Sequence, residues 1–341
     1  MVYDFYGKQI IKVYDFYGNL IGSGNTEINV QDFLYRADWT EKAKTAYNMM
    51  TAKMDDNSIP FFISTDQHGR YTRVLEPSRV VHNFETVGLA NINLGDTVTD
   101  YFNYNELNSM KSRANGIANF LPVVGNHDAF TRGSDVANNE EVTMYFTPNH
   151  EGVVYPSNRV VNYYKVVDSE RNVKWLVLCP YYMLADGSRN GVTIETAQMQ
   201  WLINELQTDD HDIIILMHQL FTDDCVHRDG TKQNWADAPK VLKDLWNVCK
   251  ARKTGGNGTI TDSLGISHSY NFGGMSKKLL CSLHGHSHEE LYQADTMTQY
   301  VCNWLDQTLH ATFGLVDRTN SKLRIWQFDK DSVMEELALD V

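Results

Sequence analysis

A series of short motifs along this chain is rich in hard oxygen and imidazole donors: Asp66-Gln67-His68, Gly95-Asp96, Gly125-Asn126-His127-Asp128, His218 and Gly285-His286-Ser287-His288. Mixed carboxylate and imidazole donors suit Mn, Fe, Zn, Co or Ni ions better than calcium, or a structural zinc that would favour thiolates. Two divalent ions about 3.5–4 Å apart need a bridging carboxylate and a few terminal ligands each. Asp66 and His68, two apart on extended backbone, point the same way and reach one ion. Asp96, in the tight turn after Gly95, is the natural bridge. Asn126 offers a neutral carbonyl oxygen, His218 and His286 offer nitrogens to a second ion, and His288 returns to the first. Two divalent transition-metal ions are therefore the expected cofactors, and metal-assisted hydrolysis of a phosphoester is the expected chemistry.

Such donors need rigid elements behind them, and each motif follows an apolar run that reads as a strand. Ile59 to Ile63 leads into Asp66, Ala90 to Leu94 into Asp96, and Phe120 to Val124 into Asn126. Asp212 to Met217 ends on His218, and Leu279 to Leu283 ends on His284, Gly285 and His286. Helical signals fall between them, near 76–90, 104–118 and 193–207. Another helix is expected from the capping box Asp38-Trp39-Thr40-Glu41, with Ala43, Ala46, Tyr47 and Met50 at helical spacing. Alternating strands and helices imply crossover connections and helices layered on sheet, with the ligands converging at the C-terminal ends of the strands. Residues near 300–302, 310–313 and 323–328 read as antiparallel closing strands. The Gly- and Ser-rich stretch from Lys253 to Met275 reads as a long loop, a rim or lid before the last motif.

The first thirty residues stand apart, because Val2-Tyr-Asp-Phe-Tyr-Gly7 recurs as Val13-Tyr-Asp-Phe-Tyr-Gly18. Residues 1–30 are expected to form a β-ribbon, with an assembly contact as a second reading, and residues 31–341 the main domain. The formal charge of −13 opposes non-specific nucleic-acid binding. It does not exclude a nuclease, whose ions would supply local positive charge. The five cysteines (Cys179, Cys225, Cys249, Cys281, Cys302) contain no CxxC pair and suggest reduced, buried thiols. No apolar run approaches a membrane span, and no secretory signal is read at the N-terminus, so a cytoplasmic location is expected.

Taken together, the ordered motifs resemble those of the calcineurin-like metallophosphoesterase superfamily, across roughly residues 58–290. The resemblance implies an α/β fold, a four-layer αββα sandwich of two mixed sheets flanked by helices. By position it implies one ion held by Asp66, His68, Asp96 and His288, and another by Asp96, Asn126, His218 and His286. It also implies attack of a metal-bridging hydroxide on a phosphodiester or phosphomonoester. His127 would contact the phosphoryl group and protonate the leaving oxygen, as an imidazole beside a ligand can. Two alternatives stand beside this one: a nuclease of the same fold, or an assembly module that retains the site. At one position the chain departs from the pattern of that superfamily. Thr99 stands where phosphoprotein phosphatases carry an Asp that orients the catalytic His and purple acid phosphatases carry a metal-binding Tyr. The group orienting His127 is then Asp100, Asp128 or a backbone carbonyl. Arg70, Tyr71 and Arg132 are further candidates for a substrate phosphate, and His284 for a hydrogen-bond partner of the ligands. Selectivity in this family lies in loops at the metal edge, here near 128–160, 181–195, 220–236 and 254–275.

Overall fold

The computed structural model describes residues 13–14, 20–22, 30–68, 75–99, 104–129, 139–156, 162–181, 192–222, 224–226, 231, 239–288, 290–294, 298–302, 311–327 and 334–339. The chain divides into two compact units, Met1–Lys42 and Ala43–Val341. In the first, β1 (Val13–Tyr14) pairs antiparallel with β2 (Leu20–Gly22). The first copy of the hexapeptide and most of the second lie outside the described residues. Helix α1 spans Val30–Thr51, starting well before the expected cap at Asp38. Gln31, Leu34, Arg36 and Ala37 are good helix formers, so a cap-like string inside the helix did not mark its beginning.

The second unit continues with β3 (Ser58–Ser64), α2 (Glu76–Phe84), β4 (Ala90–Asn93), α3 (Tyr104–Ala114), β5 (Phe120–Pro122), α4 (Asn126–Ala129) and α5 (Asn139–Tyr145). Then come β6 (Val153–Val154), β7 (Tyr164–Asp168), β8 (Val173–Val177), α6 (Thr196–Leu206), β9 (Asp212–Leu216) and α7 (Lys240–Thr254). A hairpin of β10 (Asn257–Thr261) and β11 (Ser267–Asn271) precedes β12 (Leu279–His284), β13 (Leu291–Ala294) and β14 (Thr298–Val301). The unit closes with β15 (Thr312–Asp317), β16 (Lys322–Gln327) and β17 (Met334–Ala338).

Two mixed sheets result: a seven-stranded one in the order β13-β14-β12-β9-β8-β7-β6, and a six-stranded one in the order β17-β16-β15-β3-β4-β5. Side chains alternate across β3, so that Ile59, Phe61 and Ile63 join Trp175, Ile214, Leu216 and Leu283 of the other sheet in one buried core. Phe61 meets Trp175 edge-on, with ring centroids 6.2 Å apart. On β9 the intervening residues Ile213 and Ile215, with Met217, pack instead on Leu202 of α6 and Leu245 and Trp246 of α7. Burial on both faces explains why β9 reads as a continuous apolar run rather than an alternating one. Phe62 points the opposite way from Phe61, and Phe313 packs against it and against Tyr47 of α1. The architecture is the αββα sandwich of two mixed sheets flanked by helices.

Two local expectations are corrected. The stretch expected to be a loop contains the β10–β11 hairpin, closed by Asp262, whose Oδ1 accepts the N–H groups of Leu264 and Ile266. Its strands are Thr-, Ser- and Tyr-rich and largely exposed, which hid a β pattern behind a polar composition. β14, expected to be antiparallel, runs parallel to β12 and antiparallel only to β13. Among the described residues, no helix is long and apolar enough to cross a membrane.

Candidate metal centre

Parallel neighbours deliver the donors. β3, β4 and β5 are parallel in one sheet and β9 and β12 in the other, so their C-terminal ends form one edge. Asp66 and His68 follow β3, Asp96 follows β4, Asn126 opens α4 after β5, His218 follows β9, and His286 and His288 follow β12. The structure groups them into two clusters. Asp66, His68, Asp96 and His288 form one, and Asp96, His218 and His286 the other, with donor atoms within 4.8 Å of one another in each. Asp96 belongs to both. Asn126 Oδ1 lies 3.0 Å from His286 Nδ1, against the second cluster.

The backbone is bent to achieve this. Asp66 (φ 51°), His68 (φ 43°), Asp96 (φ 49°), His286 (φ 71°) and His288 (φ 58°) all adopt left-handed conformations that side chains rarely take. Asp66 and His68 therefore do not meet by alternation along an extended strand, as the spacing suggested. A tight turn brings them together. Each such residue costs about 1–3 kcal/mol, and such strain concentrates at functional sites. Two glycines allow the close approach. A Cβ on Gly95 would lie 2.8 Å from His218 Nδ1, and one on Gly125 would collide with Asp96. Motif glycines beside Asp96 and Asn126 are thus space requirements of the site.

Burial and charge oppose each other here. Burial alone would raise the Asp66 carboxyl, yet the His288 and His218 imidazoles hold it below the usual carboxylate range. Asp96 is likewise held well below that range, against burial, by His218, His127 and His68. His218 is pushed up to about 9 because Asp96 and Asp66 outweigh its burial. His286, buried and close to His218, is pushed down to about 4. His218 Nδ1 donates to the Leu94 carbonyl at 2.7 Å, which leaves Nε2 for the site. A backbone carbonyl that fixes an imidazole tautomer is a common support for a metal ligand.

Two buried ligand atoms of this centre lack an aligned hydrogen bond. Among the described residues, Asp66 Oδ1 and His218 Nε2 make no hydrogen bond, although Asp66 Oδ1 is 3.2 Å from His288 Nε2 and His218 Nε2 is 3.2 Å from Asp96 Oδ2. The contacts are close but poorly aligned. His68 Nε2 also faces His288 Nε2 at 3.1 Å, where at most one proton fits between two lone pairs. Orphaned buried polar atoms are costly and rare. Donors that crowd one another with too few aligned protons between them fit metal ions. The set holds no thiolate, in keeping with transition-metal ions held by nitrogen and oxygen.

His127 sits beside this centre. Its backbone N–H donates to Asp96 Oδ1 at 2.8 Å, and its ring stands edge-on to His68 at 4.5 Å between centroids. Its Nδ1 lies 2.8 Å from the Thr99 carbonyl. Of the expected orienters within the described residues, Asp128 and the backbone carbonyl, it is the carbonyl that bonds to it. Asp128 does other work. Its Oδ1 accepts the N–H groups of Thr97 and Val98 at 2.9 and 3.1 Å, and its Oδ2 accepts that of Gly125 at 2.8 Å. Burial and the Asp96 charge push it up to about 7 against those donors. It braces the two turns that carry Asp96 and Asn126. Asp100, Arg70, Tyr71 and Arg132 lie outside the described residues.

Two supports had no readable signal. Thr65 Oγ1 donates to Asp66 Oδ2 at 2.7 Å, and the Leu94 carbonyl holds His218. His284 is buried, with Nδ1 2.8 Å from the Gln219 carbonyl and Nε2 2.9 Å from Ser282 Oγ. It thereby fixes the turn after His218 rather than touching a ligand side chain. Burial pushes it down to about 3.

Comparison with known proteins rests on shape. No sequence-family model matches the chain, and no curated protein matches it. A dimetal phosphatase from Danio rerio superposes with a TM-score of 0.54 at 10% identity, covering 82% of this chain and 99% of that one. The chain has the metallophosphoesterase fold. Weaker likenesses are to a predicted phosphoesterase from Streptococcus pneumoniae (TM-score 0.36, 11% identity, 82% and 98% covered) and a 5'-nucleotidase from Candida albicans (TM-score 0.43, 15% identity, 82% and 52% covered). In this metallophosphoesterase fold, the clustered donors lie where parallel strands of both sheets end, the usual site edge of an open α/β sheet.

Proposed function

We propose that this chain is a metal-dependent phosphoric ester hydrolase that holds two divalent ions and acts on a phosphorylated small molecule, as a monoester or a diester. The observation that carries this is the convergence of Asp66, His68, Asp96, His218, His286 and His288 into two donor clusters that share Asp96. Asp66, His68, Asp96 and His288 would hold one ion, and Asp96, Asn126, His218 and His286 the other. The dimetal phosphatase that shares this fold supports the reading. Ions bound there supply Lewis acidity, which activates water and offsets charge on the phosphoryl oxygens.

The chain's own residues do the rest. Asp96 binds both clusters into one unit and accepts the His127 N–H, which fixes the separation between ligands and imidazole. His127, with Nδ1–H tied to the Thr99 carbonyl, leaves Nε2 facing the site, and in its imidazolium form it would pass the Nε2 proton to the leaving oxygen and return to the neutral Nδ1–H ring. The test is hydrolysis of p-nitrophenyl phosphate, bis-p-nitrophenyl phosphate and a single-stranded oligonucleotide, each with Mn, Ni, Zn and Mg. Turnover of either small ester that requires added metal is the expected result. A chain that binds two ions yet turns over none of the three with any metal overturns it, and preference for the oligonucleotide moves the reading to a nuclease.

A further inference from the structure

The segment between Asp96 and Thr99 is fastened at every residue. The N–H groups of Thr97 and Val98 end on Asp128, and that of Thr99 ends on Glu106 Oε2 at 2.8 Å. Glu106 is buried on α3 at 2% exposure, next to Leu107, which packs in the core under that turn. The Thr99 hydroxyl donates to the His68 carbonyl at 2.5 Å, and the Asp96 carbonyl accepts the His68 N–H at 3.0 Å. His68 is thus gripped on both sides of its left-handed backbone by one short turn. The Thr99 carbonyl reaches the other way, to His127 Nδ1.

We propose that Thr99 is a positioning residue for the hydrolytic site, with Glu106 as its anchor: its hydroxyl clamps the His68 backbone and its carbonyl selects the Nδ1–H form of His127. This rests on the phosphoesterase reading above for its kinetic consequence, but not for its structural one. A side-chain carboxylate at this position would hold the imidazole directly and leave the strained His68 unclamped. A threonine held at three points does both, the clamp through its hydroxyl and the hold on the imidazole through its carbonyl. An imidazole whose Nδ1–H is fixed takes up and gives off a proton only at Nε2, so the proton passed to the leaving oxygen is the Nε2 proton of the imidazolium and the ring returns to its Nδ1–H form; geometry of this kind sets the efficiency of proton transfer.

The experiment compares Thr99→Val, Thr99→Ser, Glu106→Gln and Glu106→Met with the wild-type chain, all metal-saturated. Steady-state kinetics are read on whichever p-nitrophenyl ester the wild type hydrolyses. The imidazole ¹⁵N spectrum is read on the zinc-loaded chain, with the His127 signals assigned from His127→Gln. Thr99→Val should keep two bound ions and an unchanged KM, lower kcat on the order of 10-fold, and turn a single His127 tautomer into a mixture. Thr99→Ser, which keeps the hydroxyl, should restore both readouts. Glu106→Gln, which keeps an acceptor oxygen, should stay near wild type where Glu106→Met follows Thr99→Val. An unchanged His127 spectrum in Thr99→Val overturns the proposal whatever the rate does, as does a Thr99→Ser variant as impaired as Thr99→Val. If the wild type hydrolyses nothing, the phosphoesterase reading fails alone and the imidazole spectrum still decides the positioning.

Discussion

Two buried ionic clusters sit in this fold, and they are finished differently. At the start of β8, Lys174 is fully buried, and its Nζ donates to the Glu205 carbonyl at 3.0 Å, Glu205 Oε2 at 3.2 Å, Asp210 Oδ1 at 3.1 Å and the Thr208 hydroxyl. Glu205 Oε1 takes Lys165 at 2.8 Å. Every charge there meets an opposite one. At the other end of the strands, Asp66 Oδ1 and His218 Nε2 lie near opposite charges but make no aligned hydrogen bond, among five left-handed residues. Buried charge is kept in a protein when it is paired or when something else completes it. The Lys174 cluster is complete and serves the fold, whereas the metal edge is complete only with ions.

Substitution at the shared carboxylate should separate the two most sharply. Asp96→Asn keeps the shape but halves the carboxylate charge of one donor cluster and removes that of the other. Activity should fall on the order of 10³-fold, and bound metal measured by elemental analysis should drop below two ions per chain. Retention of two tightly held ions would break the shared-ligand assignment. His127→Ala comes next. With both clusters intact, two ions should still bind while kcat falls about 10²-fold. The loss should be larger for an alkyl phosphate, whose leaving oxygen needs a proton, than for a p-nitrophenyl ester. Equal losses on both esters would remove His127 from proton transfer.

What the sequence revealed follows from how far each signal travels along the chain. Strand ends carrying Asp66, Asp96, Asn126, His218 and His286 were legible because β9 and its neighbours bury both faces and end on rare residue strings. The left-handed turns at Asp66 and His68 were not, since alternation assumes an extended backbone and a non-glycine residue gives no sign of positive φ. The bonds of Asp128 were hidden for a related reason. It lies beside His127 in sequence, but its oxygens accept the N–H groups of Thr97 and Val98 from the neighbouring strand end and of Gly125 from its own. Backbone carbonyls such as those of Leu94 and Thr99 leave no trace in residue identity at all. The β10–β11 hairpin was lost because exposed strands rich in Thr and Ser share their composition with loops.

At the complete cluster the consequences should be for stability alone. Lys174→Met removes the cation beneath Glu205 and Asp210, while Lys165 still pairs with Glu205 and Asp210 is partly exposed. Loss of one partner from a buried pair is destabilising, here by about 2 kcal/mol given those remaining contacts. Urea denaturation should show that loss, and kcat per folded chain should not change. A fall in kcat would mean that the two clusters are coupled through β8 and β9, against the division drawn above.

The smallest effect is the most specific to an ionic cluster that is still open. In the ion-free chain His218 is held up to about 9 by Asp96 and Asp66, so at neutral pH it carries a proton that a metal ion must displace. The sign follows from a folded pKa above the ordinary 6.5. The contribution of His218 to ion-free stability is fully present below 6.5 and is lost as the pH rises through 9. Metal affinity runs the other way, rising about tenfold per pH unit between 7 and 9 for one displaced proton. Calorimetric titration of zinc into the chain, in buffers of different ionisation enthalpy, should show about one proton released at pH 7.5 and a smaller release at pH 9. His218→Asn should abolish that release while leaving the Asp66, His68, Asp96 and His288 cluster able to bind. A release that persists in His218→Asn would place the displaced proton elsewhere, on the facing imidazoles of His68 and His288.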